Sequence, residues 1–250
     1  MNVLLTISYD GTDFCGYQIQ KKGRTVESEL KSAIKTLTGE DVKMVASGRT
    51  DSGVHAKGQV VNFWTNSQIP PEKYAPALNA ILASDVRVLK SKKVNDSFNA
   101  RYSAKKKTYK YFCYLEKIDN PLKSRYSVLL KNEVDIEKIK KACKVIEGTH
   151  DFKCFCSTGS SIKTTVRTVY EIAVTKKGKD IVFSVTGNGF LYNMVRIIVG
   201  TLILVGEGKI EVGDIEKALL TGDRTLVGKT MPAHGLRLEK VVYRKNFSNS

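Results

Sequence analysis

Strand-like apolar alternation and helical apolar spacing take turns along the whole chain, and that mixture confines the fold to the α+β or mixed α/β class. Strand patterns are read over 3–9, 42–46, 59–65, 86–94, 108–115, 165–175, 181–186 and 236–243. Between them, Val26, Leu30, Ile34 and Leu37 recur at helical spacing, with Thr25 as N-cap and Gly39 as stop. Pro70-Pro71 opens a second helix that runs to Ile81, and Ile136, Ile139, Cys143 and Ile146 line a third between Asp135 and Gly148. Two more helices are expected over 190–205 and 212–220. The turn Lys176-Lys177-Gly178-Lys179 joins two strands as a hairpin, so antiparallel sheet is expected. A chain of 250 residues suits one large domain or two small, closely packed ones. No low-complexity linker divides it, and the expected halves are 1–104 and 105–250. The tail over 245–250 is polar and expected to be loose.

Charge narrows the partners. There are 41 Lys plus Arg against 25 Asp plus Glu, a net charge of +16. Nucleic acids and acidic membranes are the polyanions such a surface attracts, although a basic protein with no anionic partner has the same composition. No apolar run approaches the ~18 residues of a membrane span. The most apolar stretch, 190–205, is interrupted by Asn193, Arg196 and Thr201. Residues 1–7 are too short for a secretory signal. Five scattered cysteines, an odd number, read as reduced thiols in a cytoplasmic protein. His150, Cys154 and Cys156 are close in sequence, but Cys-x-Cys lacks the spacing that closes a zinc site, so no metal is expected.

The segment carrying chemistry is Ser47-Gly48-Arg49-Thr50-Asp51-Ser52-Gly53-Val54-His55-Ala56. Two glycines bracket four polar residues, the composition of a tight loop whose backbone approaches a ligand closely. Arg49 can bind phosphate, Asp51 supplies a carboxylate, and His55 can carry a proton. The residues alone leave open a surface turn in which Asp51 and Arg49 form an ordinary ion pair.

The stretch from Gly48 to Ala56 resembles the active-site signature of the TruA family of tRNA pseudouridine synthases. Further segments resemble that family in order: Ser8-Tyr9-Asp10-Gly11-Thr12-Asp13-Phe14 with Gly16-Tyr17-Gln18, Phe98 to Ala104, and Lys107-Thr108-Tyr109-Lys110-Tyr111. His150-Asp151-Phe152, Lys163 to Val169, Gly189 to Arg196, and Pro232-Ala233-His234-Gly235-Leu236 complete the set.

The resemblance implies two RRM-like, ferredoxin-like halves with mainly antiparallel sheets, joined around a central active-site cleft. It implies isomerisation of uridine to pseudouridine in the anticodon stem-loop of tRNA, at positions 38, 39 and 40, by a homodimer without cofactor. The reaction breaks the N-glycosidic bond, turns the uracil and rejoins it through C5, so ATP, redox cofactors and metals are not needed. By resemblance Asp51 is the catalytic carboxylate, and Arg196 is the active-site arginine that opposes the pKa rise of a desolvated carboxyl. Tyr109 stacks on the target uracil, and Arg49 fills the space of the flipped base or holds its phosphate. His55 has a substrate-binding role or a structural hydrogen bond in the loop. Whether the carboxylate attacks C1′ or removes a ribose proton stays open; either task needs it ionised.

An RNA footprint accompanies this. Between 100 and 131 lie nine Lys or Arg and two acidic residues, interleaved with tyrosines. Lys105, Lys106, Lys107 and Lys110 are the expected phosphate contacts. Two positions depart from the family: Tyr17 stands for a tryptophan, and Arg237 for an aromatic residue. Those departures leave room for a paralogue acting on other RNA uridines, and a non-catalytic RNA-binding protein of the same fold is the other alternative. A carboxylate glycosidase fits less well, because such enzymes use a pair of carboxyl groups and only Asp51 stands out.

Overall fold

Thr25 opens the first helix as the spacing predicts. Its side chain accepts from Ser28 N and the Ser28 side chain accepts from Thr25 N, a reciprocal capping box, and Gly39 ends the helix in a left-handed conformation with φ 76°. The computed structural model describes residues 1–159 and 163–244. These form two units, one of residues 1–105 joined by the chain from Arg237 onward, the other of residues 106–236.

In the first unit β1 (Asn2–Tyr9), α1 (Val26–Thr38), β2 (Met44–Ala46), β3 (His55–Trp64), α2 (Tyr74–Asn79) and β4 (Val86–Val94) follow in order. β1 is central, antiparallel to both β3 and β4, and β2 pairs antiparallel with 61–63 of β3. The order β4-β1-β3-β2 is that of a ferredoxin-like sheet. Val3, Leu5, Ile7, Val61 and Phe63 form a buried face, and the stripe Val26, Leu30, Ile34 of α1 is equally buried. Each such side chain removed from water contributes roughly 1.5–3 kcal/mol. Phe63 meets Tyr74 of α2 edge to face at 5.5 Å.

The opposite face is also covered. Leu4 and Val60 cluster with Val94, Phe98 and Ala100. Two fully buried asparagines fasten this layer. Asn62 Nδ2 donates to Asn2 Oδ1 at 2.9 Å, Asn2 Nδ2 donates to the carbonyls of Asn95 and Phe98, and Ala100 N donates to Asn62 Oδ1 at 2.8 Å. A buried amide is tolerated because every polar atom there is satisfied.

The second unit carries β5 (Ala104–Leu115), β6 (Val128–Leu130), α3 (Ile136–Ile146), β7 (Gly148–Asp151), β8 (Val166–Lys177), β9 (Asp180–Gly187), α4 (Met194–Gly206) and α5 (Val212–Thr221). β5, β9, β8 and β7 are successive antiparallel neighbours, and β6 runs parallel to the end of β5. α3 packs on β8 and against α4 and α5. β10 (Leu236–Tyr243) comes last in the chain, and from Arg237 it belongs to the first unit, beside β3 at His55 and Ala56. In chain order the first unit runs β1 α1 β2 β3 α2 β4 and the remainder β5 β6 α3 β7 β8 β9 α4 α5 β10, in a mixed α/β protein with mainly antiparallel sheets.

Several bounds differ from the pattern. β3 begins at His55, four residues before its apolar alternation starts. The second helix is reduced to a 3-10 turn (Pro71–Lys73) and six α-helical residues, because Pro76 has no N–H to donate and Asn79 turns its amide to Val88 N and O at 2.8 Å. α4 starts at Met194 rather than 190, since Asn193 is left-handed. β6 and β7 were too short to carry a period. The tail over 245–250 lies outside the described residues. Among the described residues no helix is long and apolar enough to cross a membrane.

Candidate active site

Residues 47–54 connect β2 to β3, and buried polar groups hold this loop from within. Ser47 donates to Gln59 Oε1, while Gln59 Nε2 donates to Gly48 O at 2.8 Å. Tyr9 OH and Thr50 Oγ1 are 2.8 Å apart. Burial pushes the Tyr9 phenol above its usual range, so it stays a neutral hydroxyl at every physiological pH.

The segment after β1 grips the same loop from outside. Tyr17 N donates to Thr50 O at 3.0 Å, and Phe14 O accepts from Ser52 Oγ at 3.1 Å and Gly53 N at 3.4 Å. Gly11 N donates to His55 Nδ1 at 3.0 Å. A side chain at Gly11 would collide with the Val54 backbone, and one at Gly16 would lie 2.9 Å from Thr50 O. The stretches 11–17 and 50–55 are therefore locked together by hydrogen bonds of backbone and side chains. Within the latter stretch Val54 N donates to Asp51 O at 3.1 Å, closing a turn whose third residue, Gly53, has φ 77°. Thr50 is buried and Arg49 exposed, while Asp51 is partly exposed.

His55 is buried at the start of β3. Its Nδ1 lies 3.1 Å from Asp10 Oδ1 as well as accepting from Gly11 N. An N–H can only donate, so the Gly11 contact uses the Nδ1 lone pair. Through these contacts His55 ties the start of β3 to the segment after β1. Of the family departures, Tyr17 is buried, with its hydroxyl 3.4 Å from Met44 Sδ. Arg237 sits opposite His55 in the β10–β3 pairing and donates to Glu239 Oε2 through Nε at 3.1 Å and Nη2 at 2.9 Å. Burial alone would raise the Glu239 carboxyl, but hydrogen bonds from Lys57 and Arg237 hold it below the usual range.

In the second unit, Tyr109 of β5 is 8% exposed and meets Phe190 edge to face at 5.4 Å. Tyr111, on the same strand face, donates from its hydroxyl to Pro232 O at 2.7 Å, and Gly235 leaves room for its ring. Arg196 lies in the first turn of α4, where Nε donates to Met231 O and Nη1 to Asn193 Oδ1, both at 2.6 Å. Burial lowers the His234 imidazole pKa; Asp119 opposes that shift and Arg196 adds to it. Lys105 falls in the first unit and Lys106, Lys107 and Lys110 in the second. Lys105 and Lys106 are exposed, Lys107 and Lys110 half-buried, and Lys106 Nζ lies 4.9 Å from the Tyr170 ring centre.

Tyr9, Gln59, Phe190, Asn193 and Met231 carry no role in the sequence reading. Gln59 carries no signal of its own, because β3 also holds the polar residues Lys57 and Asn62. Asn193 was visible as a polar residue in an apolar segment. All five cysteines are free thiols, and His150 Nε2 is engaged with Glu147 O at 3.0 Å. Among the described residues, no three His, Cys, Asp or Glu side chains are grouped to hold a metal ion.

A family model described as tRNA pseudouridine synthase matches residues 5–103 and 142–244. The chain belongs to the tRNA pseudouridine synthase family. Among its relatives, tRNA pseudouridine synthase A of Bacillus licheniformis is 47% identical over 245 residues, covering 97% of this chain and 99% of its own. The protein of the same name from a Thermoanaerobacter species is 47% identical over 242 residues, with the same coverages. An Exiguobacterium relative, also so named, is 41% identical and covered to 98%. The Asp51 loop and Arg196 lie inside the spans matched to the tRNA pseudouridine synthase family, whereas Tyr109 and the lysines at 105–110 fall between them.

Proposed function

We propose that this isomerase of the tRNA pseudouridine synthase family acts on the anticodon stem-loop, at uridines 38, 39 and 40, with Asp51 as its catalytic carboxylate. What carries the reading is the likeness over nearly the full length to relatives named tRNA pseudouridine synthase A, one of which covers 97% of this chain. The bracing of the Asp51 loop supports it, because a catalytic group is effective only when its neighbours fix its position. Arg196 acts as the active-site cation, and Tyr109 offers its face to the uracil, a stacking interaction worth roughly 1–3 kcal/mol. Arg49, exposed beside Asp51, takes the phosphate or the space of the flipped base. In this reading the protein is a cytoplasmic homodimer, as the family resemblance implies, and its five free thiols agree with a reducing compartment.

Mass-spectrometric mapping of pseudouridine in bulk tRNA incubated with purified protein tests this. Pseudouridine at 38 to 40 is the expected result. Pseudouridine at other tRNA positions, or in ribosomal RNA alone, would replace the target assignment by the paralogue reading.

The lysine run has its own expected result. Replacing Lys105, Lys106 and Lys107 together by alanine weakens tRNA binding and lowers the slope of log affinity against log salt by about 2, since each phosphate neutralised contributes nearly one counterion. Fluorescence titrations at several salt concentrations measure it, and an unchanged slope would remove this run from the RNA surface.

A further inference from the structure

Asn193 is the only non-glycine residue with positive φ among the described residues, at 60°. Such a backbone costs of order 1 kcal/mol or more and persists where surrounding contacts enforce it. It also stands at the N-cap of α4, where an asparagine ordinarily adopts an extended backbone and accepts a hydrogen bond from the first turn. Here the side chain makes no such bond. Its Oδ1 accepts from Arg196 Nη1 at 2.6 Å, and its Nδ2 donates to Ser157 Oγ at 3.0 Å.

A second local preference is broken alongside. Arg196 puts a cation in the first turn of a helix with no acidic residue there, at the end whose dipole is positive. The rest of that turn is buried and apolar. Two unfavourable choices three residues apart, joined by one short hydrogen bond, point to a position selected for something other than stability.

We propose that Asn193 is a positioning residue for Arg196, an inference that rests on Arg196 being the active-site cation. Two of the contacts that hold the guanidinium are Nε donating to Met231 O and Nη1 donating to Asn193 Oδ1. The Met231 carbonyl is fixed in turn, because Met231 N donates to Arg196 O at 3.4 Å and the segment leading to it is pinned where Gly228 N donates to Thr201 Oγ1 at 2.9 Å. Two holds of different direction set both the location and the plane of the fork. The side-chain oxygen is what holds the arginine, and the amide nitrogen adds an anchor on Ser157. With the left-handed backbone, this is a combination asparagine meets better than any other residue.

Steady-state pseudouridine formation on tRNA by wild type, Asn193→Gly and Asn193→Asp, with thermal melting of each, tests the assignment. Glycine keeps the left-handed backbone and loses both side-chain bonds. It is expected to lower kcat roughly ten- to a hundredfold, the scale of a misplaced catalytic group, with KM within about threefold. Its Tm is expected within about 3 °C of wild type. Aspartate keeps the acceptor for Arg196 and should retain kcat within a few-fold. A wild-type kcat in Asn193→Gly overturns the proposal, as does an equal loss in both variants accompanied by a common fall in Tm, which marks a structural role. An inactive wild type would instead sink the functional reading beneath it, and is recognised by its own failure in the same assay.

Discussion

Asp51→Asn is expected to reduce kcat for pseudouridine formation by at least about a thousandfold, the scale seen when the central nucleophile or base of an enzyme is removed. The amide matches the carboxylate in shape but has no charge to attack the sugar carbon or accept its proton. The loop itself should survive. Bonds that brace it through Ser47, Gly48, Thr50, Ser52, Gly53 and the backbone carbonyl of residue 51 stay in place with asparagine. Binding of tRNA should therefore stay within a few-fold of wild type, since phosphate contacts dominate such interfaces and one carboxylate contributes little. Single-turnover kinetics and a filter-binding titration on the same preparation separate the two quantities. A large loss of affinity with proportionate loss of rate would make Asp51 a structural residue.

Much of the fold was legible because its elements obey local rules. The stripe Val26, Leu30, Ile34 with Thr25 and Gly39 reports a helix without reference to anything distant, and the helix is there with both caps. What was illegible depends on contacts far along the chain. β6 and β7 span three and four residues, and partner strands define them rather than any period of their own. β10 was readable as a strand, but nothing in residues 236–243 says that it pairs with β3 nearly two hundred residues earlier. The candidate site divides in the same way. Asp51, Arg49 and His55 stand out because three functional residue types crowd into the short glycine-containing stretch 49–55. Gln59 and Tyr9 do not, since a polar atom buried by a distant partner has the same one-letter code as an exposed one. Asn193 lies between these cases: its residue type was visible, and its left-handed backbone was not.

The brace around Asp51 makes a second large effect testable at Gly11, which touches no substrate in the proposed reading. An alanine Cβ there would fall inside the van der Waals envelope of the Val54 carbonyl, and would also lie 3.0 Å from Val54 N. Backbone cannot rotate aside as a flexible side chain does, so either the segment after β1 or the loop itself must shift. The shift acts on the hydrogen bond from Gly11 N to His55 Nδ1 and on the turn that Val54 N closes onto Asp51 O. Gly11→Ala is expected to cost about 1–3 kcal/mol of stability by overpacking. Displacing the catalytic loop by around 1 Å should also lower kcat roughly a hundredfold. Gly39→Ala is the control. That glycine has φ 76°, and a Cβ there would meet nothing within 4 Å. Alanine at 39 therefore meets conformational strain alone, about 1–2 kcal/mol, and should leave kcat unchanged. Thermal melting and turnover of the two variants then distinguish close backbone approach from backbone conformation. If Gly11→Ala loses no more activity than Gly39→Ala, contact between the two motifs does not hold Asp51 in place, and the loop's position must depend on the buried bonds of Gln59 and Tyr9.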